Sequence, residues 1–412
     1  MTFKWMRRIS EKMMNRTRVF QNALSSLAIC IALFAMPHAM HAQQTQMGTC
    51  AAISNSASDV KKALDGVLAQ ALDSPLGTAP GAVLSVRTGD WQYIAAAGYS
   101  DPATATPIDC AMPFQIGSNT KMMTAVVLLQ LMEEERLRID DPLFAHLPEI
   151  ATRLPYGDAI TLRQLAQHTS GVFSYTDNAP DGTPGLMEGA TSSRDALLRP
   201  LDPPEMINFV VDHGEPNFEP GAEGSWSYSN TGYALLGMVI ENLEERPIGK
   251  SFENRIFGPL DMDHTYLWNG IPRPEFGLPR AFLNGEEYET TDWNMTQGWA
   301  AGAVISTVAD MHTFIEALVA GELFQQPETL SEMMRTTQTN HPALSGYGLG
   351  LAMKGDNLWG HGGQTLGFES EVAAFTDKDM SIVAWATSSS NALGFGAFLI
   401  SDALRETKAL PD

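Results

Sequence analysis

The sequence is poor in cysteine and in positive charge. Its 412 residues include three cysteines, and 26 lysines and arginines stand against 48 aspartates and glutamates, which gives a formal net charge of −22. A surface this acidic repels nucleic-acid phosphates, so we expect no nucleic-acid partner. Gly-x-Gly-x-x-Gly and Walker patterns are also missing, which removes the usual sequence evidence for a nucleotide cofactor.

The histidines do not form a metal-binding pattern. After the N-terminal region they lie far apart, and none is paired with another at i+4, the spacing at which two side chains on one helix face share a zinc ion. We therefore predict neither a metal nor another cofactor. His168, which lies in the segment 167–171, is interpreted as part of a structural turn.

The first 42 residues have the composition of an export signal. Six lysines and arginines precede an apolar run over 23–36, and small residues follow it. This run is too short to cross a bilayer comfortably. We predict a signal peptide over 1–42 and a periplasmic or secreted mature protein that has no membrane span after cleavage. An uncleaved N-terminal anchor is the alternative.

Export would leave two cysteines, Cys50 and Cys110. An even number in an oxidising compartment permits one disulfide. Closing a loop of this length would stabilise the fold by roughly 4 kcal/mol. Two unpaired thiols are the alternative.

Hydrophobic periodicity predicts strands at both ends of the mature chain and helices between them. A polar, flexible leader is expected over 43–56. Near the ends of the rest, we predict helices over 60–72, 118–135 and 395–404, and strands over 81–86, 91–96, 347–353, 367–375 and 380–386. In the middle, short helices are expected over 162–167, 204–212 and 231–243, with long loops over 174–200 and 265–295.

This order predicts an α/β domain, with an antiparallel sheet flanked by helices, that is interrupted by an all-α domain. Its two parts are residues 57–135 and 300–412, and residues 136–299 form the inserted helical domain. A functional site would lie in the cleft between the two domains.

Ser118, in Ser118-Asn119-Thr120-Lys121, is the candidate nucleophile. It follows a glycine and opens an apolar helix, where free N–H groups favour negative charge on a nearby oxygen. Lys121 is three residues further on, shares the same helix face and could act as a base once it is buried. Ser58 and Lys61 have the same spacing, but they lie on an amphipathic helix that we expect to face solvent.

Tyr228 and Asn230 form the only Tyr-x-Asn in the chain and precede an apolar helix. A phenol near Lys121 could be partly ionised and act as base or acid. Asn230 offers a donor and an acceptor to a substrate amide or ester. The structural alternative is a core tyrosine with Asn230 as a helix N-cap.

The third motif is His361-Gly362-Gly363. Its glycines let a substrate lie against the backbone, and the strand edge could donate an N–H group to an oxyanion, complementing the N–H group of Ser118. His361 is alternatively a general base, or a structural residue in a tight turn.

With these three motifs the chain resembles the penicillin-recognising serine hydrolases, which include class C β-lactamases, D-alanyl-D-alanine carboxypeptidases, D-aminopeptidases and β-lactamase-like esterases. The resemblance spans 58–405, includes 165–171, 301–306 and 347–351, and implies the β-lactamase/DD-peptidase-like fold. It also implies an acylated Ser118, proton transfers shared by Lys121 and Tyr228, and substrate orientation by Asn230. The N–H groups of Ser118 and Gln364 would form the oxyanion hole.

The residues around the third motif bear on the subfamily. Class C β-lactamases have Lys-Thr-Gly at His361-Gly362-Gly363, which counts against efficient β-lactam turnover. Related secreted carboxypeptidases have His-Thr-Gly-Thr, and an arginine at the position of Ala352, to grip a terminal carboxylate. In this chain the corresponding residues are Gly362, Gln364 and Ala352, which do not offer these carboxylate-binding groups. Lys354 is the candidate residue to replace them.

The sequence thus predicts an exported serine hydrolase that acts on a small-molecule or peptide substrate: a D-amino-acid peptide, an ester or a β-lactam. The activity would be carboxypeptidase-like or esterase-like. The alternatives are a class C-type β-lactamase and a non-catalytic penicillin-binding sensor module.

Overall fold

A computed structural model describes residues 48–51, 58–72, 78–270, 277–283, 288–355, 357–389 and 396–410. The predicted signal peptide lies outside these residues, as does most of the predicted leader. Within the described part of the chain, no helix is both long enough and apolar enough to span a bilayer.

The strands range in length from 2 to 10 residues. They are β1 (Gly48–Ala51), β2 (Gly81–Thr88), β3 (Gln92–Asp101), β4 (Thr106–Pro107), β5 (Phe114–Gln115), β6 (Tyr266–Leu267), β7 (Phe282–Leu283), β8 (Tyr288–Glu289), β9 (Val304–Ser306), β10 (Gly346–Tyr347), β11 (Ala352–Met353), β12 (Leu358–Gln364), β13 (Glu369–Phe375) and β14 (Met380–Ala386).

The helices lie mainly between the two groups of strands. They are α1 (Ser58–Leu72), α2 (Thr120–Glu133), α3 (Leu143–His146), α4 (Pro148–Ala151), α5 (Leu162–Ala166), α6 (Leu186–Ala190), α7 (Arg194–Leu198), α8 (Pro203–His213), α9 (Asn230–Glu244), α10 (Ile248–Phe252), α11 (Trp299–Gly302), α12 (Val308–Ala320), α13 (Pro327–Met333) and α14 (Gly396–Glu406). Helices α3–α10 occupy the stretch predicted as the inserted domain, whose boundaries remain a prediction.

The main sheet is antiparallel and has the order β1-β3-β2-β14-β13-β12-β11-β10, with β4 added on β3. Every residue of β13 and of β14 is buried, as expected for central strands covered on both faces. One face packs on a cluster that includes α1 and α14, and the other on the larger cluster around α2. Helix α2 is apolar on nearly all sides and is therefore a core helix.

The disulfide is present: Cys50 and Cys110 are bonded, with their Cα atoms 5.9 Å apart. It attaches β1, which pairs with β3, to the chain just before β5. Residues 48–51, predicted as part of the leader, thus form an edge strand of the sheet.

Two further expectations about local structure were wrong. The strand predicted over 347–353 is two short strands, because Gly350 between them has φ +71° and a Cβ there would lie 2.7 Å from the carbonyl oxygen of Lys121. The predicted loops at 174–200 and 265–295 contain α6, α7 and the short strands β6–β8. His361-Gly362-Gly363 lies in β12, in agreement with the strand edge expected from the sequence and not with the alternative of a tight turn.

Candidate active site

The turn that carries Ser118 packs directly against β12. Residues Gly117–Asn119 form one turn of 3₁₀-helix that leads into α2. Gly117 has φ +53°, and a Cβ there would lie 2.7 Å from the main-chain nitrogen of Gln364. A residue without a Cβ therefore permits this approach, which brings the N–H group of Gln364 close to the Ser118 turn.

Asn119 fixes the same turn to the central sheet. Its Nδ2 donates to the carbonyl oxygen of Ile116 and to Ser370 Oγ, both at 2.9 Å. Ser370 Oγ also donates to the Ile116 oxygen at 2.9 Å. Since Ser370 lies on β13, these bonds hold the Ser118 turn to the central sheet.

Lys121 is fully buried beside Ser118. Its Nζ lies 3.0 Å from Ser118 Oγ, 2.7 Å from Asn230 Oδ1 and 2.8 Å from the carbonyl oxygen of Ala301. Burial lowers the pKa of Lys121 well below its ordinary value of 10.5, because the ammonium loses its hydration. A neutral amine has two N–H groups and one lone pair, so it can donate to Asn230 and Ala301 while it accepts the Ser118 proton.

Tyr228 lies over this group as a neutral phenol. Its hydroxyl hydrogen-bonds to Ser118, and burial raises its pKa. Lys121 Nζ is 4.9 Å from the centre of the Tyr228 ring. The direction of this pKa shift is opposite to the partial ionisation expected from the sequence, and a neutral phenol that contacts Ser118 is suited to donate and relay a proton.

Asn230 is the first residue of α9, and its side chain does not cap that helix. Oδ1 accepts from Lys121, while Nδ2 donates to Thr176 Oγ1 at 2.9 Å and the main-chain N–H donates to Ser174 Oγ at 3.1 Å. Asn230 thus positions Lys121. Neither Thr176 nor Ser174 carries a sequence signal for this role.

His361 lies in β12 with both ring nitrogens occupied. Nδ1 donates to the carbonyl oxygen of Gly362 at 2.5 Å, so Nε2 accepts from the Tyr347 hydroxyl at 2.9 Å. Burial lowers the pKa of His361 to about 3, because the imidazolium would lose its hydration. In this arrangement the imidazole is neutral and is turned to Tyr347, so it is not a base for Ser118.

The two glycines of the third motif differ in their surroundings. A Cβ on Gly363 would lie 2.0 Å from the carbonyl oxygen of Ile116, whereas one on Gly362 would meet nothing closer than 3.9 Å. Gly363 is thus needed for the contact between β12 and the Ser118 turn. Gly362 leaves open space beside the strand.

His168 is a part of the site whose contacts the sequence did not predict. It has φ +62°, its Nδ1 accepts from the Ser229 N–H at 3.1 Å, and its ring centre is 4.2 Å from that of Tyr228. The prediction of a turn agrees with this backbone. The position of this turn beneath Tyr228 could not be predicted, because it depends on contacts between residues about 60 positions apart in the sequence.

The described residues contain no group of three or more histidine, cysteine, aspartate or glutamate side chains suited to a metal ion. The site consists of a serine, an amine, a phenol and main-chain N–H groups. Such a set can support acyl transfer through a covalent serine ester.

Several known proteins are similar to this chain in sequence or fold. A D-stereospecific amidohydrolase from Streptomyces sp. is 32% identical, with a TM-score of 0.68, over 81% of this chain and 95% of that one. The putative penicillin-binding protein PbpX of Bacillus subtilis (strain 168) is 24% identical over 82% of each chain. The D-amino acid amidase of Ochrobactrum anthropi SV3, solved with L-phenylalanine amide, has a TM-score of 0.72 at 22% identity, over 85% of this chain and 99% of that one.

The family model described as Beta-lactamase matches residues 68–401, which is most of the chain and includes the three motifs. This match confirms the resemblance seen in the sequence, and the fold agrees with it. The chain therefore belongs to the Beta-lactamase family, the penicillin-recognising serine hydrolases.

Proposed function

We propose that this protein is an exported serine hydrolase that cleaves the amide bond of D-amino-acid derivatives through an acyl-enzyme on Ser118. The observation that carries the proposal is the 3.0 Å contact between Lys121 Nζ and Ser118 Oγ in a buried position. Similarity to a D-stereospecific amidohydrolase supports the substrate class. The disulfide supports a periplasmic or secreted location.

The reaction follows from the contacts. Lys121, as a neutral amine, takes the Ser118 proton while Oγ bonds to the substrate carbonyl carbon. The N–H groups of Ser118 and Gln364 stabilise the resulting oxyanion. The C–N bond then breaks as a proton passes from Lys121 through the Tyr228 phenol to the leaving nitrogen. Water hydrolyses the Ser118 ester by the reverse transfers, which releases the acid.

The test compares wild type with Ser118→Ala on D-phenylalanine amide, L-phenylalanine amide, a short-chain nitrophenyl ester and a chromogenic cephalosporin. We expect the D-amide to be preferred to the L-amide, and kcat to fall by at least about 10³-fold in the variant. Ser58→Ala is the matched control, because Ser58 and Lys61 have the same spacing and lie on α1. It should behave as wild type.

Each alternative outcome has a clear meaning. D-amide turnover that survives in Ser118→Ala would contradict the mechanism. Turnover of the ester or the cephalosporin without the D-amide would replace the proposed substrate class. Labelling of Ser118 by a fluorophosphonate without turnover of any substrate would indicate a sensor module.

A further inference from the structure

A fully buried histidine lies between helix α12 and the central sheet. His312 is on α12, Ser85 is on β2 and Ser381 is on β14, and none of the three is exposed to solvent. The imidazole Nε2 is 2.9 Å from Ser85 Oγ, and Nδ1 is 2.6 Å from Ser381 Oγ. The ring therefore joins the helix to two adjacent strands.

These contacts belong to a longer network, the His312 network, that has a hydrogen-bond acceptor at each end. Ser85 Oγ is 3.0 Å from the main-chain oxygen of Tyr93 on β3. At the other end, Ser381 Oγ contacts Glu316 Oε1, one turn along α12 from His312. A carbonyl oxygen and an ionised carboxylate only accept hydrogen bonds. The donor protons must therefore come from the two serines and the imidazole.

The His312 network is one proton short. It has four contacts, which are Tyr93–Ser85, Ser85–His312, His312–Ser381 and Ser381–Glu316. Each serine supplies one proton and a neutral imidazole supplies one, so an ionised Glu316 leaves one contact without a proton. Two buried lone pairs that face each other are unfavourable. One additional proton completes every bond of the network.

Several charged residues lie around the His312 network. In the part of the chain that the structure describes, they belong to α12, to β2 and to the turn between β13 and β14: Asp310, Arg87, Asp377, Lys378 and Asp379. Asp310 is bonded to Thr265, and the residues of the turn line a groove with Glu316. The Tyr93 phenol is bonded to Asp65 on α1, and β13 contributes apolar residues to the core on this side. Arg87 and Glu316 are thus the charges that bear directly on His312.

These two charges indicate where the additional proton lies. Burial, and then the charge of Arg87, lowers the pKa of His312, which disfavours an imidazolium. Arg87 also pairs with Glu316 Oε2 at 3.2 Å, but the side chains are 29% and 37% exposed, and water weakens such a pair. A neutral Glu316 can still accept from Arg87 at Oε2 while it donates from Oε1 to Ser381.

We propose that the His312 network is a proton-binding site, in which Glu316 takes up one proton and donates a hydrogen bond to Ser381. When this proton leaves as the pH rises, Ser381 has one donor for two acceptors, and α12 loses one of its bonds to the sheet. The stabilisation is therefore present at low pH and is lost as the pH rises. This inference goes beyond the proposed function and does not depend on the reaction at Ser118.

The test is the stability of the full chain against pH, measured by chemical denaturation between about pH 5.5 and about pH 9, where a free glutamate stays ionised. Glu316→Gln is the central variant, because its amide N–H group donates to Ser381 without a titrating proton. The folding equilibrium constant of wild type should fall by about tenfold relative to that of Glu316→Gln as the pH rises, the effect of one buried acceptor left without a donor. Glu253→Gln removes a solvent-exposed partner of Lys250. It is the matched control and should follow wild type.

Ser85→Ala is a second variant that removes the need for the additional proton in another way. Without the Ser85 hydroxyl, the contacts that remain are His312–Ser381 and Ser381–Glu316. A neutral imidazole with its proton on Nδ1, together with the Ser381 hydroxyl, satisfies both. The variant should be less stable than wild type at the lowest pH, but its stability relative to Glu316→Gln should not change with pH.

A network that serves only the fold would give different results. A stability ratio of wild type to Glu316→Gln that is constant over this range, or that rises with pH, would overturn the proposal. A Ser85→Ala variant that keeps the pH dependence of wild type would also overturn it, and this comparison remains decisive if Glu316→Gln fails to fold.

Discussion

His168 Nδ1 accepts a hydrogen bond from the main-chain N–H of Ser229, and the main-chain oxygen of His168 accepts one from Ser227. These bonds hold the residues on both sides of Tyr228, whose ring lies against the imidazole. His168 is therefore a positioning residue for the Tyr228 phenol. In the proposed mechanism it acts on the reaction through Tyr228.

His168→Asn should retain most of the activity, because asparagine tolerates positive φ and its Oδ1 can replace Nδ1 as the acceptor. His168→Gln places its amide further out and should lower kcat by roughly 10²-fold through misplacement of Tyr228. We expect KM to change little. Kinetics on the D-amide, together with thermal unfolding, check this, and equal kcat values in two folded variants would contradict it.

Activity should rise with pH as Lys121 loses its proton. Burial disfavours the ammonium and lowers the pKa of Lys121, so the active amine forms at a pH below 10.5. His361, whose pKa is lowered to about 3, contributes no step near pH 6.5. A profile of kcat/KM against pH tests both statements. A fall in kcat/KM as pH rises toward neutrality would contradict the role of Lys121.

Tyr347→Phe removes the donor to His361 Nε2 and leaves a buried acceptor unsatisfied, which should cost about 1–3 kcal/mol of stability. Because His361 lies against Tyr228, kcat should also fall. Tyr93→Phe is the control, since its hydroxyl bonds to Asp65 on α1, away from the site. Chemical denaturation and kcat should show a stability loss in both variants and a catalytic loss in Tyr347→Phe alone.

Gly363→Ala should be far more damaging than Gly362→Ala, although the two glycines are adjacent. The first Cβ would overlap the carbonyl oxygen of Ile116 at 2.0 Å, which forces β12 away from the Ser118 turn, while the second has room. The expected loss for Gly363→Ala is about 1–3 kcal/mol, as for overpacking. Thermal midpoints check this, and similar midpoints for the two variants would contradict it.

The sequence predicted those parts of the site that local patterns encode. Ser118 and Lys121 share a helix face, and Asn230 opens a recognisable apolar helix. Three other contacts depend on the tertiary fold. The carbonyl oxygen of Ala301 contacts Lys121, the hydroxyl of Thr176 contacts Asn230, and the ring of His168 contacts Tyr228. The type of residue at a position does not reveal which main-chain acceptors or distant side chains it will contact, so these partners could not be predicted.

Tertiary contacts also explain an error in the predicted secondary structure. Residues 347–353 are apolar and glycine-rich, which suits a strand, yet the close approach of α2 at Gly350 turns the chain there. Strands β2, β13 and β14, by contrast, were predicted within a few residues. Their burial on two faces leaves long apolar runs that periodicity detects.

The bonds around Ser118 and Lys121 join segments that are 109, 180 and 251 residues apart in the chain. If the proposed mechanism holds, we expect a proteolytic fragment that lacks one of these segments to be inactive, as well as a folding intermediate in which one of them has not yet docked. Recovery of enzyme activity during refolding should therefore lag behind recovery of helical signal, and it offers a sensitive reporter of the last step by which the chain reaches its native state.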